Sequence, residues 1–333
     1  MDTIVLQQEL FKTIRSKMPE HLSAADEVAR ILNISTDSAY RRMRGEKTIS
    51  LDELSALCFH YHISMDELMN IQTGAFLFQG NIIDSNTFRY DKYIQAMLQS
   101  FTYMGSFKEK EFYYLCKDIP VFQHYHFKEI AAFKYYFWMK TILHMPDFRH
   151  RKFSFEAYPD EMFEIGKKIL SLYSSLNVVE IINIESVNST IRQIEFYRDG
   201  QMFESDEDIW KIYDALEKLI DHMEDQADAG YMFKYGDPDK KPMGTYRFYF
   251  NEVILGDNTM LAVLDGMKMV YLVHSGVNYM STRDLSFCNY TYDTIQNLMQ
   301  KSTLISSAEE HERARFFKFL RNRIAKQQES LNV

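Results

Sequence analysis

Residues 22–70 read LSAADEVARILNISTDSAYRRMRGEKTISLDELSALCFHYHISMDELMN. Val28 and Leu32 stand four apart, so they share one face of a helix, and the small Ala29 beside them lets a second helix cross closely. Asn33 can take the left-handed conformation that ends a helix. Ile34 suits the corner, and Ser35 is a good N-cap for a second helix over 36–44. Gly45 supplies its stop. Two further short helices follow. The second helix of the pair carries Arg41, Arg42 and Arg44, and Lys47 comes just after it.

Two short helices joined by a tight turn, with cations on the second, form the pattern of a helix-turn-helix DNA reader. Further residues carry a family resemblance. Ala29 is the small residue early in the first helix, Arg44–Gly45 ends the recognition helix, Ser50–Leu54 opens a fourth helix and Ile63–Leu68 a fifth. In these features the chain resembles the lambda-repressor-like (Xre/Cro) helix-turn-helix regulators over residues 1–72. Three positions depart from the family pattern. Asn33 replaces the usual glycine, Ala39 stands where a larger aliphatic packs, and Arg42 stands where apolar or aromatic residues are commoner. Arg42 there means either an added phosphate contact or a slightly rotated recognition helix.

The resemblance implies that Thr36, Asp37, Tyr40 and Arg41 reach base edges in the major groove. Arg41 is the best reader, because a guanidinium can hold guanine O6 and N7 with two bonds. Ser35, Arg42, Arg44 and Lys47 are expected on phosphates, setting position and salt dependence rather than sequence.

Charge shapes how such binding works. The chain has a formal net charge of −9, so attraction of its whole surface to nucleic acid is excluded. Positive charge is concentrated at 41–47, where Glu46 is the sole acid. One small footprint binds weakly, so a homodimer on a palindromic double-stranded operator is expected. The competing class is a protein-interaction module that uses the same helices without DNA.

The 333 residues, 46% hydrophobic, are enough for a second, larger domain over 73–333. A strand is expected at 111–117. Helices are expected at 127–143, 160–176, 186–196 and 208–226, the last capped by Ser205. From 245 the pattern turns to strand alternation. Strands are expected at 245–255, 260–264, 268–274 and 278–282, with turns at 256–258 and at Asp265–Gly266. Helices at 293–301 and 308–327 close the chain. The sequence therefore predicts a multi-domain protein. An all-α helix-turn-helix domain precedes an α+β domain with a helical part at 90–235, an antiparallel meander within 245–303 and a terminal helix at 308–327.

Aromatics make up 15% of the chain and methionines number 19. Such side chains either fill a core or line an adaptable pocket for a small-molecule ligand. Phe316, Phe317 and Phe319 give the last helix apolar residues on more than one face, suited to the body and to a second subunit. Its cations Arg313, Arg315, Lys318, Arg321, Arg323 and Lys326 form either a solvated face or a further approach to phosphates. Cys58 with His62, and His124 with His126 on one face of an extended segment near Cys116, lack zinc spacing, so no metal or cofactor is expected. No phosphate loop, nucleophile elbow or HExxH is present, and no enzyme is expected. Three scattered cysteines, no leader-like start and no long apolar run fit a soluble cytoplasmic protein without membrane association.

Overall fold

The computed structural model of the protein describes residues 3–18, 22–61, 63–69, 76–253, 258–274 and 276–331. Contacts divide the chain into two units, Met1–Leu77 and Phe78–Val333. Among its described residues the N-terminal unit holds five helices: α1 (Thr3–Ser16), α2 (Ala24–Leu32), α3 (Thr36–Met43), α4 (Leu51–Tyr61) and α5 (Met65–Met69). Leu10 and Ile14 of α1, Val28 and Ala29 of α2, Ala39 of α3 and Leu57 of α4 form its buried centre. Ala39 is fully buried. A small side chain here lets α3 pack closely, where the family more often places a larger one.

Among its described residues the C-terminal unit is built on one seven-stranded sheet. In chain order its elements are α6 (Tyr90–Gly105), β1 (Lys110–Cys116), α7 (Lys128–Phe137), α8 (Asp160–Ser174), β2 (Asn177–Ile182), α9 (Ile184–Asp199) and α10 (Asp206–Ala229). Then come β3 (Tyr246–Phe250), β4 (Thr259–Leu264), β5 (Met267–His274), β6 (Asn278–Thr282), α11 (Leu285–Gln300), β7 (Thr303–Leu304) and α12 (Glu310–Ser330). The spatial order is β6-β5-β4-β1-β2-β3-β7.

The expected antiparallel meander holds only in part: β4, β5 and β6 pair antiparallel in succession, but the first expected strand is placed elsewhere and the sheet as a whole is mixed. β1, β2 and β3 run parallel, while β4 pairs antiparallel with both β1 and β5, and β5 with β6. Helical crossovers, α7–α8 and then α9–α10, return the chain for each parallel strand. β3 therefore lies on the far side of β1 from β4, its neighbour in sequence. The expected strand at 245–255 ends at Phe250, and residues 254–257, with most of the expected turn at 256–258, lie outside the described residues. Asp265 and Gly266 both have positive φ, 47° and 85°, which is the two-residue hairpin geometry their sequence predicts.

Alternation sorts the strands between two layers. Phe112, Tyr114, Val178, Ile182, Tyr246 and Phe248 face the large core, which α6 to α10 and α12 complete. Tyr113, Val179, Ile181, Leu261 and Val270 face α11 through Cys288, Ile295 and Met299. Phe316 and Phe317 of α12 are buried against Phe248. Two of the helix's cations are engaged by carboxylates of α10. Arg313 is buried against Asp228 and the carbonyl oxygens of Ile305 and Ala308, and Arg321 pairs with Asp221 and Glu224. No helix among the described residues is long and apolar enough to cross a membrane.

Candidate nucleic-acid interface

The α2–α3 corner is built by its caps. The Ser23 hydroxyl accepts from the Asp26 amide at the start of α2. Asn33 ends that helix in the left-handed region, at φ 52° and ψ 49°. It does there what the family's usual glycine does, at a modest conformational cost. The Ile34 amide then donates to the Ala29 carbonyl, 3.0 Å, and the Ile34 side chain packs on the unit's core. The Ser35 hydroxyl accepts from the Ser38 amide at 3.3 Å. Ser35 is exposed, but its oxygen is used as the cap of α3. At the other end Gly45 takes φ +78°, and a Cβ there would meet Ile4 Cγ2 at 3.0 Å. The Glu46 and Lys47 amides both return to the Arg41 carbonyl.

This arrangement leaves one outward stripe on α3. Thr36, Asp37, Tyr40, Arg41 and Arg44 are exposed, with Lys47 beyond the helix end. Asp37 lies at the positive end of the helix dipole and the arginines at the negative end, so local electrostatics favour both. Arg41 and Arg44 reach Glu46 at 3.9 and 3.3 Å, and the Arg44 guanidinium lies 6.0 Å from the Tyr40 ring centroid. Exposed pairs of this kind are weak and easily exchanged for a phosphate. The Thr36 hydroxyl donates to Asp26 at 3.1 Å, fastening the start of α3 to α2.

Arg42 does not belong to this stripe, and its expected phosphate contact is corrected. Its side chain is 5% exposed and forks onto Glu53 of α4, with Nη2 to Oε1 at 2.6 Å and Nε to Oε2 at 3.0 Å. Nη1 donates to the Ser38 carbonyl at 3.1 Å. Glu53 also accepts from the Ser50 amide, and the Ser50 hydroxyl accepts from the Glu53 amide, a reciprocal cap on α4. The guanidinium beside it, foremost, holds the Glu53 carboxyl below its ordinary range. The choice left open by the sequence thus has a third answer, in which Arg42 ties the recognition helix to α4.

Gln7 of α1 is the residue that sequence reading missed. It is buried, its Nε2 donates to the Arg42 and Lys47 carbonyls at 2.6 and 2.8 Å, and its Oε1 accepts from the Ile49 amide at 3.0 Å. One side chain thereby fixes the end of α3 and the loop that carries Lys47. Its only sequence signal is a polar residue on the buried side of an amphipathic helix.

The other sequence candidates fall elsewhere. Cys58 is buried in the N-terminal core, and His62 lies outside the described residues. His124 and His126 sit in a single 3-10 turn, Gln123–His126, rather than on an extended segment. Among the described residues no group of three His, Cys, Asp or Glu side chains is placed to hold a metal ion.

No curated protein and no solved structure matches the chain. Residues 14–74 match the family model of the Cro/C1-type HTH DNA-binding domain, and the N-terminal unit belongs to that family.

Proposed function

We propose that the chain is a sequence-specific transcription regulator. It acts as a homodimer on a palindromic double-stranded DNA site, and its C-terminal unit dimerises or senses a small ligand. The observation that carries this reading is the exposed stripe Thr36, Asp37, Tyr40, Arg41 and Arg44 on a helix held from behind by Gln7 and Glu53. Arg41 reads a base, while Arg44 and Lys47 hold phosphates. The reading involves no catalytic step.

Two phosphate-holding cations per subunit set the salt dependence. With a slope of about −0.9 per neutralised phosphate, one subunit gives about −1.8 and a dimer about −3.6 in log K against log salt. Selection from a random DNA pool with the full chain, then a salt series on the winner, tests the whole reading. A palindrome with the steeper slope supports it. Arg41→Ala is expected to cost about 1–3 kcal/mol on that site and to relax preference at one base pair. No enrichment from folded protein, or an Arg41→Ala variant that binds as before, would overturn direct readout and favour a protein-interaction role for these helices.

A further inference from the structure

We propose that a cleft beside α9 in the C-terminal unit binds a small, flat organic carboxylate. The proposal rests on the reading of this unit as a ligand sensor and names its site. The cleft opens where β1 and β2 end, and its volume of about 470 Å³ lies in the range of small-molecule sites. That is far larger than a bare ion needs.

Its floor is built rather than incidental. Thr141, Ser189 and Gln193 line it there. Gln193 Oε1 accepts from Lys134 Nζ at 2.8 Å, and its Nε2 donates to Asp118 Oδ2 at 3.2 Å and to the Ser189 hydroxyl at 3.3 Å. Lys134 and Asp118 are themselves paired at 2.6 Å, the lysine side chain 1% exposed, and Thr190 donates to the same carboxylate at 2.7 Å. A buried ion pair is a poor source of stability, since apolar residues of similar volume do as well. This pair instead fixes the orientation of an amide at the bottom of an open cleft, as a preorganised site requires.

The walls share a second support. α7 runs on into a single π turn, Trp138–Ile142, an irregularity concentrated at functional positions. That turn carries Thr141, whose hydroxyl meets that of Tyr197. The rings of Phe137 and Phe196 line opposite elements of the cleft, and both pack edge-on to Tyr197, at 6.1 and 5.6 Å between centroids. Phe196 is 62% exposed, an apolar surface that a flat ligand would cover.

The rim sets the charge. Arg192 stands beside Glu185, and Lys117 also lines the cleft. Arg192 and Glu185 approach only to 3.6 Å, with side chains 72% and 50% exposed, so the guanidinium can turn to a ligand. Its planar fork matches a carboxylate through two parallel bonds. A monoanion with a flat apolar body therefore suits the arginine and the aromatic walls together.

The test uses the full chain with benzoate, phenylacetate and indoleacetate as probes and their neutral amides as counterparts, read by calorimetry and thermal unfolding. At least one carboxylate is expected to bind and raise Tm, with its amide about tenfold weaker or worse. Arg192→Gln is expected to weaken binding about tenfold, and Glu185→Gln to strengthen it severalfold by removing the competing carboxylate. Both positions are exposed, so the fold is not at stake. No binding at millimolar probe, equal binding of acids and amides, or an Arg192→Gln variant that binds as before would overturn the site. DNA affinity measured with and without bound probe separates the two layers. A change supports sensing, whereas bound probe with unchanged DNA affinity supports the site and overturns the sensory role.

Discussion

Replacing Arg42 by alanine separates a structural tie from a phosphate contact. The variant loses two charge-assisted bonds to Glu53 and one to the Ser38 carbonyl. Breaking a buried pair by removing one partner costs about 3–5 kcal/mol. Here Glu53 is 21% exposed and keeps the Ser50 amide, so water and one bond remain to it. The expected loss is therefore about 2–4 kcal/mol, a large share of what stabilises a small domain. Both tryptophans, Trp138 and Trp210, lie in the C-terminal unit. In a urea titration, helix lost by circular dichroism before tryptophan fluorescence changes reports the N-terminal unit alone. The early transition is expected to shift to lower urea in Arg42→Ala and hardly at all in Arg44→Ala, whose side chain is 62% exposed. DNA binding by folded protein should show the reverse. Arg44→Ala flattens the salt slope by about 0.9 per subunit, and Arg42→Ala leaves it unchanged. A double-mutant cycle with Glu53→Gln should return a coupling of about 1–3 kcal/mol. Because Glu53 sits below its ordinary value of 4.5, the coupling is full above that pH and fades as pH falls through the folded value. An Arg42→Ala variant as stable as the parent, with a flattened salt slope, would refute this reasoning and restore Arg42 to the DNA surface.

Gln7→Leu takes their side-chain partner from the Lys47 carbonyl and the Ile49 amide, while the Arg42 carbonyl keeps the Gly45 amide. It should destabilise the N-terminal unit by about 1–3 kcal/mol and weaken DNA binding without altering base preference, checked by the same urea and salt titrations. His222 is buried and its Nε2 has no hydrogen-bond partner among the described residues. Burial, foremost, holds its pKa down from 6.5 to about 4, and desolvation holds that of His126, 4.5 Å away between ring centroids, in the same direction. The unfolded chain therefore binds more protons below pH 6.5, so the C-terminal unit loses stability as pH falls from there toward 4, by about 3 kcal/mol for His222 alone. Tryptophan-monitored unfolding across that window should steepen in the parent and flatten in His222→Phe. A Cβ at Gly244 would stand 1.8 Å from the Leu176 carbonyl oxygen. Backbone cannot yield as a flexible side chain does, so Gly244→Ala should cost more than about 3 kcal/mol, seen as a lowered Tm of the fluorescence transition.

The N-terminal unit was legible because its signals are local. The cap at Ser35, the left-handed Asn33 and the stop at Gly45 each act within a few residues. The exposed stripe on α3 follows from helical spacing alone. Arg42 was misplaced because its partner is on another helix. Half of this eight-residue helix is exposed, and only Glu53, eleven residues on, makes an arginine acceptable at a buried position. Gln7 failed to register for the same reason, since its three partners are all backbone groups more than thirty residues away.

β2 shows the same limit in the larger unit. NVVEII reads poorly as a strand, because it lacks alternation and carries a glutamate in its middle. Both features follow from its central position in the sheet. A strand covered on both faces has no polar side to alternate with, and Val179 and Ile181 face α11 while Val178 and Ile182 face the large core. Glu180 shares that inner face and is fully buried. Tyr173 and Gln123 donate to its Oε1 at 2.5 and 3.1 Å, and Tyr246 to its Oε2 at 2.6 Å. Burial pushes its carboxyl up and the three donors oppose that without cancelling it. Those donors come from α8, from the turn after β1 and from β3, so one side chain links the elements on either side of β2. Removing it would leave three buried donors unsatisfied, each at a cost of about 1–3 kcal/mol. The residue that argues against a buried strand in the sequence is thus the one that holds the parallel half of the sheet to its helices. A sequence window cannot reveal it, because two of the three donors lie 57 and 66 residues away.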